Sequence, residues 1–246
     1  MYIYVECKIF YMQNNSKKTL VRMYVMNNPF YSRNITCYLL ILETRKEFCI
    51  TLEEHAFGSD IVLCLFLSFG FIDTDDNHFI LNDVMTNSTI VLKKNDSDLI
   101  VDKGFLFMKE KCFVYEDEYN YFEYEHFLDI KKEYKSKEKN RERYLSKLSM
   151  DKIPLQLGDY YNQHLHVCLD KGFNYQIYFL IERYAAKITE GKWEKTGNKL
   201  LLHDTFLECD FVYLIESDYL YPIYAPNDLN ETDRYSLGIM YPFIMR

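Results

Sequence analysis

The chain has 246 residues, enough for one large or two modest domains with a sizeable core. Its 27% charged and 48% hydrophobic residues exclude a disordered chain, and 23 Tyr and 18 Phe against a single Trp lean it towards strands. A formal charge of −8 argues against a surface that binds nucleic acid all over, and eight glycines leave little material for phosphate-cradling loops.

Seven cysteines, an odd number without a C-x-x-C, sit mostly in apolar stretches and read as reduced thiols. The start has no basic segment followed by an unbroken apolar run, so no signal peptide is expected. The longest apolar run, residues 61–72, is shorter than the ~20 needed to span a bilayer. Together these features predict a cytoplasmic protein with no transmembrane segment.

In chain order, residues 3–9 alternate apolar and polar, Gln13 to Ser16 break the run, and 19–26 resume it. Asn27-Asn28-Pro29 is a turn. Residues 35–42 and 48–52 form apolar runs around Thr44-Arg45-Lys46, and 61–72 has the length and β-branching of a buried strand. From Gly70 the chain alternates strands with polar turns, and it does so again from Gly191 at an offset of 121 residues. Gly70, Asn77, Leu81, Asp83, Val91 and Leu99 meet Gly191, Asn198, Leu202, Asp204, Val212 and Leu220 without a gap. A similar hairpin precedes each block, at 40–52 and 167–179. Self-similarity at this distance points to a repeated supersecondary unit.

Between the blocks, residues 119–127 are aromatic and acidic. Residues 126–150 contain no Gly or Pro, and Phe127, Ile130, Tyr134, Tyr144, Leu145 and Leu148 fall at helical spacing. That pattern predicts one long central helix of about 36 Å, anchored at both ends and solvated in the middle. After Ile153-Pro154 the second unit begins, and the tail from Tyr219 reads as a loop and an edge strand. The expected fold is mainly β: two related antiparallel β-meander units, lipocalin-like or barrel-like, joined by the helix. Their boundaries fall at 1–118, 119–152 and 153–246.

Leu169-Asp-Lys-Gly-Phe173, Gly191-Lys-Trp193 and Gly197-Asn-Lys-Leu-Leu-Leu202 carry a family resemblance. Over roughly 160–215 the chain resembles small bacterial lipocalin-like proteins, in which a hairpin precedes a G-x-W strand, a turn and an L-x-L strand. Two departures stand out: lipocalins carry G-x-W in their first strand, and those bacterial proteins are usually exported. The resemblance implies a barrel-like antiparallel fold and no catalytic residue.

Three features bear on chemistry. In a strand, His164, His166 and Cys168 would share one face while Leu165, Val167 and Leu169 point inward, which gives three candidate metal ligands. Gly158-x5-His164-x-His166-x3-Asp170 also resembles the opening half of the cupin metal motif, with Asp170 in place of Glu and no second half. The simpler reading of this stretch is the polar outer face of a hairpin strand. Eight Lys or Arg against three Glu between residues 131 and 147 offer a polyanion surface through Lys132, Lys135, Lys139 and Arg143, or a solvated linker. Tyr119, Tyr121, Tyr124, Trp193, Tyr219 and Tyr221 are candidates for contact with a partner or ligand, and cross-strand packing would also explain them.

No nucleotide, hydrolase or metalloprotease signature occurs. The expected function is a non-catalytic binding or interaction protein of adaptor, inhibitor or immunity type, without a cofactor. Its partner would be a protein or a small apolar ligand, with nucleic acid disfavoured. A metal-dependent β-barrel enzyme and a polyanion binder are the alternatives.

Overall fold

Among the described residues, the strand-rich sequence forms sixteen antiparallel strands in two closed barrels. The computed structural model describes residues 21–27, 29–30, 35–55, 62–84, 86, 88–116, 143–162, 165–181, 184–223 and 243–245. The first barrel contains β1 (Val21–Asn27), β2 (Ile35–Leu42), β3 (Glu47–His55), β4 (Val62–Thr74), β5 (His78–Asp83), β6 (Thr89–Asn95), β7 (Asp98–Lys103) and β8 (Cys112–Glu116). The second contains β9 (Gly158–Tyr161), β10 (Leu165–Leu169), β11 (Asn174–Ile181), β12 (Tyr184–Thr196), β13 (Lys199–Asp204), β14 (Cys209–Glu216), β15 (Tyr219–Pro222) and β16 (Phe243–Met245). Each meander closes on itself, β1 on β8 and β16 on β9, so neither sheet keeps a free edge.

The two barrels repeat one pairing scheme. Gly70 opposes Asp83 as Gly191 opposes Asp204, and Leu81 opposes Ile90 as Leu202 opposes Phe211. Asn95 opposes Asp98 as Glu216 opposes Tyr219, with Asp96 and Ser217 both left-handed in the turns between them. The β3–β4 ladder skips Leu67 and the β11–β12 ladder skips Ile188, again 121 residues apart. An extra residue bends its strand and increases the twist, which helps a sheet of this size to close. Gly70 and Gly191 have a steric cause: a Cβ there would stand 2.0 Å from the carbonyl oxygen of Asn82 or His203.

The inward faces make the core. Phe48, Ile50, Leu81, Ile90, Leu92 and Phe113 fill the first barrel, and Val167, Tyr175, Ile177, Leu202, Tyr213 and Phe243 the second, all of them buried. At ~1.5–3 kcal/mol for each large apolar side chain, these layers dominate the stability of either unit. Asp83 and Asp204 are buried with them. Asp204 accepts from the amides of Phe206 and Leu207 (2.9 and 2.7 Å), the Tyr175 hydroxyl (3.0 Å) and the Thr189 hydroxyl. Asp83 accepts from Thr86 Oγ1 at 2.8 Å, and Thr86 bonds Ser88 at 2.7 Å. The repeated carboxylates therefore tie off matching turns.

Two expectations require correction. The long central helix expected over 126–150 is not found: among the described residues the only α-helix is the single turn 143–146, and residues 126–142 lie outside them. Asn198 explains where the helix stops. Its side chain donates to the Lys147 carbonyl (2.9 Å) and accepts from the Ser149 amide (2.8 Å), while its own amide donates to the Ser149 carbonyl (3.2 Å). These bonds hold 147–149 along the β12–β13 turn, where helical geometry cannot continue. The C-terminal strand is likewise no edge, because β16 pairs with both β15 and β9.

Candidate functional site

Strand β10 turns Leu165, Val167 and Leu169 inward and leaves His166 and Cys168 on the outer face, as period-two alternation requires. His166 is stacked between Tyr161 on β9 (centroids 4.5 Å apart) and Tyr178 on β11 (5.5 Å). Its Nε2 lies 2.8 Å from Asp159 Oδ1, and that bond holds the Asp159 carboxyl below its usual range. Burial, reinforced by Asp159, raises the Cys168 thiol above its ordinary value, so the thiolate that binds metals or attacks electrophiles is disfavoured. His164 lies outside the described residues. Among the described residues no group of three or more His, Cys, Asp or Glu is placed to hold a metal ion.

This outer face extends across the sheet as a polar and aromatic row. Tyr178 donates its hydroxyl to Gln176 Oε1 (2.6 Å), Gln176 donates to Glu190 Oε2 (3.3 Å), and Lys187 Nζ donates to the same oxygen (2.8 Å). The lysine pulls the Glu190 carboxyl down and also lies over the Tyr178 ring at 6.0 Å. The row thus runs from Asp159 on β9 to Lys187 on β12.

At Lys187 the row meets a cleft between the barrels. The 3-10 turn Leu106–Met108 of the first barrel packs on β12 of the second, and Lys103 pairs with Glu208 across the junction. Phe107 and Met108 are buried in that contact region, with Phe105 and Phe107 stacked at 6.0 Å. Beside it opens a cleft of about 430 Å³ lined by Pro29, Phe30, Leu106, Phe107, Lys109, Lys111, Ala185, Ala186 and Lys187. The rings of Phe30 and Phe107 lie 4.8 Å apart. Lys111 Nζ donates to the Pro29 carbonyl, which ties the β1–β2 turn to the cleft, and burial holds that ammonium below its usual value. The cleft is open to solvent, and its lining is polar and apolar in equal measure.

The remaining sequence candidates have separate places. Trp193 is 9% exposed, faces the core of the second barrel, donates from Nε1 to the Asp170 carbonyl (3.2 Å) and packs against exposed Phe173 (5.0 Å). Tyr219 and Tyr221 stack at 5.5 Å, and Tyr221 stacks on Tyr144 of the helical turn at 5.7 Å. Arg143 is exposed at the start of that turn. Tyr119, Tyr121, Tyr124, Lys132, Lys135 and Lys139 lie outside the described residues. The cleft residues escaped sequence reading because no motif joins them: Pro29 and Phe30 belong to a turn, Leu106 to Lys111 to a short connection, and Ala185 to Lys187 to a strand far along the chain. Only Pro29 gave a signal, as a turn.

Known proteins add no guide to the site: the chain matches no protein-family model, no curated protein and no solved structure at a significant level. Among the described residues, no helix is long and apolar enough to cross a membrane.

Proposed function

We propose that the protein is a non-catalytic binding protein that holds a small ligand in the cleft between its two barrels. The observation that carries this reading is the cleft itself, with its apolar wall of Phe30, Leu106, Phe107, Ala185 and Ala186. The eight-stranded architecture supports it indirectly. Barrels of this size have an interior that side chains can fill, and here the inward positions hold large buried residues such as Phe48, Phe113, Tyr175 and Tyr213. Filled interiors favour a site between the barrels over one inside either, in contrast to the interior site of a lipocalin.

The neutral fluorophore N-phenyl-1-naphthylamine tests the reading. It should brighten and saturate with the wild-type chain, and Ala185→Trp, which puts an indole into the cleft from an exposed position, should abolish the signal without lowering Tm. Saturable binding that survives Ala185→Trp would place the ligand elsewhere.

The half-exposed stack of Tyr161, His166 and Tyr178 favours a second reading, a protein-contact surface on the outside of the second barrel. Under that reading Tyr161→Ala and Tyr178→Ala weaken association with a partner and leave binding of the fluorophore unchanged.

A further inference from the structure

The two ends of the second barrel differ. Glu208 in the β13–β14 turn and Ala185 to Lys187 at the start of β12 face the first barrel. Successive turns of a meander alternate ends, so the β10–β11, β12–β13 and β14–β15 turns share the opposite end. Along β12 that end lies ~33 Å from Ala186 at the usual rise of a strand. Of the second barrel and the turn before it, the exposed large apolar side chains among the described residues are Leu145, Met150, Leu157 and Phe173. Met150 lies against Gly197 of the β12–β13 turn, Leu157 precedes Gly158 opposite Leu169, and Phe173 closes the β10–β11 turn. Between Met150 and Leu157, Ile153 and Leu155 pack on the core, so this segment buries one set of apolar residues and presents another.

Folding does not require this presentation. Phe173 is 59% exposed at a φ of 58°, a left-handed conformation that bulky residues rarely adopt. Lys46 holds the corresponding place in the first barrel at a φ of 54°. Its carbonyl accepts from the Ile72 amide (2.8 Å) as that of Phe173 accepts from the Trp193 amide (2.9 Å). Met150 is 78% exposed. Cations stand between these tips: Lys152 between Met150 and Leu157, Lys171 beside Phe173, and Lys195 before the β12–β13 turn. None of the three forms an ion pair among the described residues. Of the acids at this end, Asp170 accepts from the Gly172 and Asn174 amides (2.8 and 2.9 Å), and Glu194 lies 3.7 Å from His203 Nε2. We propose that this far end of the second barrel docks on an anionic lipid surface, with Met150, Leu157 and Phe173 entering the headgroup boundary and the lysines facing lipid phosphates. Apolar tips interleaved with unpaired ammonium groups combine the two attractions that hold a peripheral protein on a bilayer. This goes beyond the cleft and does not depend on it.

Co-sedimentation of the full chain with phosphatidylcholine vesicles containing phosphatidylserine tests the proposal. Binding should be about tenfold tighter than to phosphatidylcholine alone and should fall as salt is raised. Acyl-brominated lipid should quench Trp193, the single tryptophan, whose ring lies 5.0 Å from that of Phe173. Phe173→Asn, which suits a left-handed turn, and Met150→Ser should each weaken binding several-fold without lowering Tm. Lys171→Gln should weaken it about fivefold. No binding to the mixed vesicles, the outcome expected if this end meets a protein instead, would overturn the proposal. Equal binding to both kinds of vesicle would overturn it as well. So would binding unchanged in the Phe173→Asn/Met150→Ser double variant, or binding that leaves Trp193 unquenched.

Discussion

Gly70 and Gly191 carry the clearest residue-scale consequence, because a methyl at either would stand 2.0 Å from a backbone carbonyl that cannot swing away. Gly70→Ala and Gly191→Ala should each cost ~2–3 kcal/mol or more by thermal or denaturant unfolding, with similar effects in the two barrels. Asp204 makes a second case. Asp204→Ala leaves the buried Tyr175 and Thr189 hydroxyls without their acceptor and should cost about 3 kcal/mol, read from the shift in urea midpoint. Glu53 gives a pH dependence. Burial pushes its carboxyl up to about 7 from an ordinary value of 4.5. The folded state therefore keeps a proton that the unfolded chain releases, so the contribution is full below pH 4.5 and is lost as pH rises through 7. Glu53→Gln should remove that slope and raise stability at pH 8 by up to about 3 kcal/mol, while changing it little at pH 4, as paired unfolding curves would show.

Among the elements, those with local period-two patterns were legible from the chain alone. The alternation of β10 placed His166 and Cys168 outside and Val167 inside, and the repeat at an offset of 121 residues gave the shared register of β4 to β7 and β12 to β15. The expected long helix fails against contacts of this kind: Asn198, 49 residues beyond Ser149, captures the backbone after the short turn 143–146 through bonds no local pattern announces. The pairing of β16 on both sides is hidden from local pattern for a similar reason: Phe243 has the same role as Phe113, opposite Leu220 and Leu99, but the intervening sequence differs between the two units. The helical turn still docks as its apolar residues foretold, with Tyr144 buried against Leu214 and Tyr221 and Leu148 beside them, whereas Leu145 is 42% exposed. Tyr144→Ala should therefore cost ~3 kcal/mol and Leu145→Ala less than 1 kcal/mol, measured by thermal unfolding.

For the whole molecule, the repeat shows in sequence as self-similarity, but closure into barrels and their mutual placement come from contacts far apart along the chain. The cleft belongs to that level, since Lys111 and Lys187 share no segment, strand or barrel. That explains why the candidate binding residues were not recoverable from motifs, and why the outer row on β10 was. Its consequence is that one small ligand should report from both barrels together. Amide NMR spectra of the full chain titrated with N-phenyl-1-naphthylamine test this most directly. Saturable shifts, with a common affinity, are expected at Leu106 to Lys111 and at Ala185 to Lys187. Shifts confined to one barrel, centred on Tyr161, His166 and Tyr178, or absent altogether would contradict it.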